Sequence, residues 1–250
     1  MLAFAGCGTQ NPGQGQGGSR TRSAVTSAEA QFAAPAEGDL VAVIETSKGT
    51  IAAKLFPGYA PQAVKNFTLL AQRQTYNGTS FHRVIQDFII QGGDPTGSGT
   101  GGESAWGVPF PNEISDKLHH YSGALCMASA TGEAGQNQSQ FYIVATPQNS
   151  VPEAAQQALA AAGVREAVVS AYAEAGGAPY LDNTATVFGQ VYLGMDVVDA
   201  ICASSTNANQ SPKTTIEILS VAVQAYAAPA ASAAVSLPVS SAPASAGTGA

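Results

Sequence analysis

Phe81-His82-Arg83-Val84-Ile85-Gln86-Asp87-Phe88-Ile89-Ile90-Gln91-Gly92-Gly93-Asp94 sets one arginine and one glutamine among large apolar residues on two short strand-like segments. No acidic residue stands within three positions of Arg83. A guanidinium stays charged and presents its donors in a rigid plane. Fixed beside an apolar wall, it suits a neutral substrate that offers a carbonyl to grip. A lone arginine is most often a surface group or half of an ion pair. The spacing Phe-His-Arg, seven residues, then Gln-Gly-Gly-Asp is what moves the reading toward chemistry.

Working outward, Leu40 to Thr46 is apolar and β-branched and reads as a strand, Ser47 to Thr50 as a turn, and Ile51 to Phe56 as the returning strand. Pro61 fits a first helical turn, and Val64, Phe67, Leu70 and Ala71 recur at helical spacing, which predicts a helix over 60–73. Short strands are expected around 80–85, 88–91, 123–128, 141–146, 186–192 and 214–224, with a second helix over 195–203. Eight short strands and few helices predict a mainly β protein, a closed eight-stranded antiparallel barrel. Val151 to Gly177 is Ala-rich and predicts a helix or a helical pair broken at Gly163. Its plainest reading is a solvent-side elaboration; the other is a wall that narrows which substrates enter.

Hydrophobic residues make up 45% of the 250, enough for a core, and charged residues only 11%, against roughly 25% in soluble domains. The net charge of −7 argues against a nucleic-acid partner, which calls for clustered Lys and Arg. No apolar run reaches the roughly 18 residues of a membrane span. Cys7, Cys126 and Cys202 are too few and too scattered for a disulfide framework or a zinc set. Residues 8–38 and 227–250 are poor in large apolar side chains and read as a linker and a flexible tail, leaving 39–226 as one folding unit.

Three blocks, in order, resemble the cyclophilins, the peptidyl-prolyl cis-trans isomerases inhibited by cyclosporin. They are Phe81 to Asp94, Asn137-Gln138-Ser139-Gln140-Phe141-Tyr142-Ile143, and Pro179-Tyr180-Leu181-Asp182-Asn183-Thr184-Ala185-Thr186-Val187-Phe188-Gly189. The resemblance spans about residues 39–224. It implies two helices capping the barrel, a substrate groove on the barrel's outside, no cofactor and no metal. It implies that Arg83 holds the proline carbonyl and donates toward the proline nitrogen, with Gln91 binding peptide backbone and positioning Arg83. Phe88 and Ile89 match the floor of the proline pocket, Leu181 its wall, and Ala128 and Ser129 the segment that pairs with substrate backbone. Gln140 is expected to line the groove, and Tyr142 to serve the pocket with its hydroxyl toward solvent.

Three departures stand out. Ser129 replaces a usual Asn, Ala185 a usual His, and Tyr180 the tryptophan of cyclosporin-sensitive members, so cyclosporin-like ligands are expected to bind weakly. The partners implied are proline-containing unfolded or flexible polypeptides, met by a monomer. The alternative is a proline-peptide binding module with little turnover, motivated by Ala185, Tyr180 and Ser129.

Ala5-Gly6-Cys7 ahead of a Gly/Gln-rich stretch resembles the end of a bacterial lipoprotein signal peptide, which implies export and a lipid on Cys7; the alternative is a cytoplasmic protein. That anchor is the one membrane contact expected. Gly97 to Gly102 satisfies G-x-G-x-x-G but lacks the strand before and the helix after that a dinucleotide site requires. His119-His120 reads as a surface or loop pair, and Cys126 as a small buried hydrophobe.

Overall fold

The computed structural model describes residues 22–228. Cys7 and the tail beyond residue 228 lie outside the described residues. Nine strands and four helices form: β1 (Leu40–Thr46), β2 (Gly49–Leu55), α1 (Pro61–Gln72), β3 (Thr79–Ser80), β4 (Arg83–Ile85), β5 (Ile89–Gly92), β6 (Ala124–Ser129), β7 (Asn137–Val144), α2 (Glu153–Ala161), α3 (Glu166–Ala175), β8 (Val187–Leu193), α4 (Met195–Cys202) and β9 (Glu217–Ala225). They lie in the antiparallel order β3-β9-β1-β2-β8-β6-β7-β5-β4.

The ninth strand comes from the expected strand at 80–85, which is divided. Thr79 and Ser80 pair with Ile218 and Glu217 of β9, whereas Arg83, Val84 and Ile85 pair with Gln91, Ile90 and Ile89 of β5. Ser80 also bridges Asp94, in the same register as the Arg83–Gln91 pair. One chain path therefore joins the two ends of the sheet, and Phe81-His82 leaves the ladder where it passes from one neighbour to the other. Phe81 N donates to Ile216 O at 3.0 Å and Val84 N to Gln210 O at 2.8 Å, so closure runs through single bonds.

Alternation along the strands sorts side chains to two faces. Ile90, Leu125, Ile143 and Phe188 turn inward to the main core, with Phe67 of α1 against Tyr76 and Phe188 at 5.0 and 5.3 Å between ring centroids. Ile89, Cys126, Tyr142 and Val187 belong to a second apolar cluster on the other face. Helix α1 has no side-chain cap of its own. The Glu113 carboxylate accepts from Gln62 N at 3.0 Å and Ala63 N at 2.9 Å, satisfying two of the orphan donors that every helix start leaves.

The insertion is a helical pair, α2 and α3, broken at Gly163. Helix α3 buries Val168, Ala171, Tyr172 and Ala175, whereas α2 has no fully buried residue and packs Ala155 and Leu159 partly against the same cluster.

Residues 22–38, expected as part of a linker, instead pack along the body. Arg22 donates to both carboxylate oxygens of Asp199 at 2.7 and 2.6 Å and to Ser122 Oγ at 3.0 Å. Gln31 is 1% exposed, donates to Gln190 Oε1 and His119 O, and accepts from His119 N. Phe32 lies 4.8 Å from the Tyr121 ring. Few residues make this strap, and their partners stand about a hundred or more positions away, so local composition hides it. Arg22→Ala takes a charged partner from a carboxylate whose side chain is 3% exposed, and we expect a loss of about 3 kcal/mol in thermal or denaturant unfolding.

Candidate active site

The site forms on the outer face because strand pairing places its residues in one lateral row. Arg83 pairs with Gln91, Gln91 with Tyr142, Tyr142 with Cys126, and Cys126 with Val187. Register partners share a face, so a cation, an amide, a phenol and an apolar floor line up across five strands.

Arg83 is held at two points. Its Nε donates to Gln210 Oε1 at 2.8 Å, and Nη1 donates to Gln91 Oε1 at 3.3 Å. Gln91 Nε2 then donates to Gln140 Oε1 at 2.9 Å, and Gln140 Nε2 donates to the carbonyls of Gly99 and Gly101 at 3.1 and 2.9 Å. Gln140 was expected to line the groove. It is fully buried beneath Gln91, because its side chain fills the space between strand β7 and the glycine loop. Gln210 gave no sequence signal; it stands on a loop more than a hundred residues from Arg83.

The glycine loop closes on Asp94. One carboxylate oxygen accepts from Thr96 N at 2.8 Å, the other from Gly99 N at 2.7 Å and Gly101 N at 3.1 Å. The main-chain donors that a phosphate loop would aim outward are thus spent on an internal carboxylate. Burial pushes the Asp94 pKa up, and the bonds from Thr96, Gly101 and Gly99 outweigh it and bring it down to about 2. Gly93 has φ +83°, and a Cβ there would meet Phe141 Cδ1 and Ser139 O at 2.8 Å. A side chain at the second glycine of the Gln-Gly-Gly-Asp motif is excluded by packing as well as by backbone conformation.

Beside Arg83 lies a cavity of about 440 Å³. Phe88, Ile89, Tyr142, Leu181 and Ala185 line its apolar side. Gln91, Ala128, Ser129, Asn137, Asn112 and Glu133 are among the residues lining the rest. The β6–β7 register shifts between Met127 and Ser129, dropping Ala128 out of the ladder, and a bulged residue leaves its main chain unpaired. Tyr180 is not part of this cavity. It is 69% exposed and stacks on Phe88 at 6.1 Å.

Tyr142 is 7% exposed, and its hydroxyl does not reach solvent as expected. It sits 3.1 Å from His120 Nε2. His120 Nδ1 lies 2.9 Å from Asp182 Oδ1, and His119 Nδ1 lies 2.9 Å from Asp182 Oδ2. Tyr172 of α3 donates to Asp182 Oδ2 at 2.8 Å. An ionised carboxylate only accepts, so both histidines carry a proton on Nδ1, and a neutral His120 accepts from the Tyr142 hydroxyl at Nε2. The histidine pair is therefore an interior hydrogen-bond hub, not a surface pair; His120 is 1% exposed. Its acid arrives from 62 positions away in sequence, which local spacing does not reveal. Among the described residues no group of His, Cys, Asp and Glu is arranged to hold a metal ion. Burial raises the Cys126 thiol well above its ordinary pKa, so it supplies no thiolate.

Burial pushes the Asp182 pKa up, but the bonds from His119 and His120 dominate and hold it far below the usual carboxylate range. Both Asp94 and Asp182 have folded pKa values below the ordinary 3.8. The stability they contribute is complete above about pH 4 and is lost as the pH falls toward 2 and below. Thermal melts across that range are expected to show this acid limb, and Asp182→Asn to flatten it while lowering stability at pH 7.

Residues 41–223 match the family model described as cyclophilin type peptidyl-prolyl cis-trans isomerase/CLD. A Staphylococcus saprophyticus protein named as a peptidyl-prolyl cis-trans isomerase is 44% identical over 181 residues, which is 72% of this chain and 90% of that protein. A likewise named Staphylococcus aureus protein is 40% identical over 188 residues, 75% of this chain and 93% of that one. The crystal structure of a Cryptosporidium parvum cyclophilin, determined in the presence of the dipeptide Ala-Pro, superposes with a TM-score of 0.59 at 29% identity, covering 74% of this chain and 99% of that one. By family model, sequence and fold together, this chain belongs to the cyclophilin-type peptidyl-prolyl cis-trans isomerases.

Proposed function

We propose that Arg83 is the group through which this isomerase favours the twisted X-Pro amide in unfolded or flexible polypeptides. The observation that carries the reading is the guanidinium fixed at Nε by Gln210 and at Nη1 by Gln91 beside the apolar cavity. Rotation about a peptide bond meets a barrier of roughly 18–20 kcal/mol because amide resonance is broken. No covalent bond is made or cleaved, so no nucleophile or metal is required.

In the twisted state the proline nitrogen is pyramidal and its lone pair accepts a hydrogen bond. A donor aimed there stabilises that state more than either planar isomer, which is what accelerates a reaction. Arg83 binds the prolyl carbonyl and donates to that nitrogen, while Phe88, Ile89 and Leu181 hold the ring. The Ala128 main chain lies beside the cavity and aligns the peptide. Both amide partners of Arg83 present oxygen, so the guanidinium keeps its full charge and its orientation.

Ala185 and Tyr180 favour the second reading, a binding module with little turnover. Tyr180, stacked on Phe88 outside the proline cavity, also supports weak cyclosporin binding. Export with a lipid on Cys7 accompanies the main reading and rests on Ala5-Gly6-Cys7. Mass spectrometry of the native protein checks it: an acylated Cys7 as the first residue supports it, and an unmodified Met1 sinks it.

NMR exchange on an Ala-Pro peptide separates the two functional readings. Arg83→Ala is expected to slow catalysed exchange about 100-fold, the loss typical of removing one aligned donor, with peptide affinity changed much less. Gln210→Ala, which removes only a positioning bond, is expected to cost about tenfold in kcat with little effect on KM. Binding without faster exchange in the unaltered protein gives the module reading.

A further inference from the structure

The proline cavity is not the only hollow at Phe88. A second one, of about 410 Å³, opens on the other side of the Phe88–Tyr180 pair and has the insertion as its far wall. Val151, Pro152 and Ala155 come from the insertion, and Pro179 and Tyr180 from the segment that carries Leu181. Phe88 lines both cavities.

We propose that this second cavity is a substrate subsite, taking an apolar side chain that lies only a few residues from the proline in the same polypeptide. The proposal rests on the proline-peptide reading of the first cavity. Its basis is continuity: a chain whose proline rests against Phe88 crosses one aromatic pair to reach the second hollow. Extended chain advances about 3.3 Å per residue, and the two hollows share the Phe88 ring, so their occupants are separated by only a few residues. The ring of Tyr180, 69% exposed, lies at the crest as a flat amphipathic platform for that chain.

The walls select the occupant. Pro147, Pro152 and Pro179 have no main-chain N–H to offer, Val151, Ala155 and Phe88 are apolar, and Thr146 and Ser150 add only hydroxyls. An ionised side chain loses its hydration among such walls, which disfavours an acidic occupant. The wall is also firmly placed. Val151 is buried and, with Ala155, packs against Val168, Ala171 and Tyr172 of α3, and Tyr172 is held in turn by Asp182. Gly176, φ +76°, brings its backbone so close to Pro147 O that a Cβ would overlap it. A pre-formed wall binds without an ordering cost. The insertion is thereby a specificity element and not only a solvent-side elaboration.

The test uses the full 250-residue chain and a set of Ala-rich peptides centred on Ala-Pro, with Leu or Glu placed singly at one to three residues on either side of the proline. At one of these positions, Leu is expected to raise kcat/KM from NMR exchange about tenfold over Ala, and Glu to lower it. In Ala155→Arg, where a long cation fills the hollow, the Leu-to-Ala ratio is expected to fall to about one. A flat profile, or a Leu preference that survives in Ala155→Arg, overturns the proposal. Amide shifts on titration with the same peptides are read in parallel. Movement at Val151 and Ala155 with the Leu peptide but not with its all-Ala parent supports the subsite, and absence of movement there overturns it. A chain that binds these peptides without speeding exchange contradicts the isomerase reading alone, and the shifts still decide the subsite.

Discussion

Ser80 pairs at once with Glu217 and with Asp94, and this double pairing is the point on which the site depends. It joins the two ends of the sheet, so no long edge is left open. It also starts the path that carries Arg83, three residues on, and pins Asp94 at the root of the glycine loop. Asp94 holds Gly99 and Gly101, whose carbonyls hold Gln140, which orients Gln91, which orients Arg83. Each member of this chain satisfies the next, and a polar network fully satisfied in a low-dielectric interior is both rigid and costly to interrupt. The cation proposed to act on the twisted amide is thus aimed by the same contacts that join the two ends of the sheet.

A second network reaches the pocket from the opposite direction. Asp182 gathers His119, His120 and Tyr172, and His120 fixes the Tyr142 hydroxyl in the wall of the cavity beside Arg83. Leu181, the pocket residue beside it in sequence, is placed by the same segment. The insertion therefore does not merely sit on the surface. Its α3 shares a carboxylate with the pocket wall, and its entry segment shapes the neighbouring hollow.

The parts legible in the sequence are those that short-range periodicity and contiguous motifs carry. Alternation in β1, β2 and β8 and the helical spacing of Val64, Phe67 and Leu70 are local consequences of backbone geometry. The Arg83 to Asp94 block is legible because its residues share one hairpin, so eight positions of sequence place Arg83 opposite Gln91. Gln210, Asp182 as a hub, and the Arg22 to Phe32 strap are not legible, since, Tyr172 apart, their partners stand between 62 and 177 positions away. Tyr142 shows the boundary: alternation gives the face it occupies, but the fate of its hydroxyl depends on a histidine brought in by the loop ahead of β6.

The sequence by itself determined the fold class and the family, and it named residues that line the cavity beside Arg83. Amide and side-chain periodicities are local, and the three motifs lie within short stretches of chain. Only the tertiary structure decided how Arg83 is held, that Gln140 works from beneath and not from the groove wall, and that the histidine pair meets at Asp182 with His120 buried. It alone showed that residues 22–38 belong to the folded body and that the insertion borders a second hollow. Those outcomes depend on which distant groups meet when a twisted sheet closes on itself, and that meeting is set by packing and hydrogen-bond satisfaction over the whole molecule, not by the order of neighbouring residues.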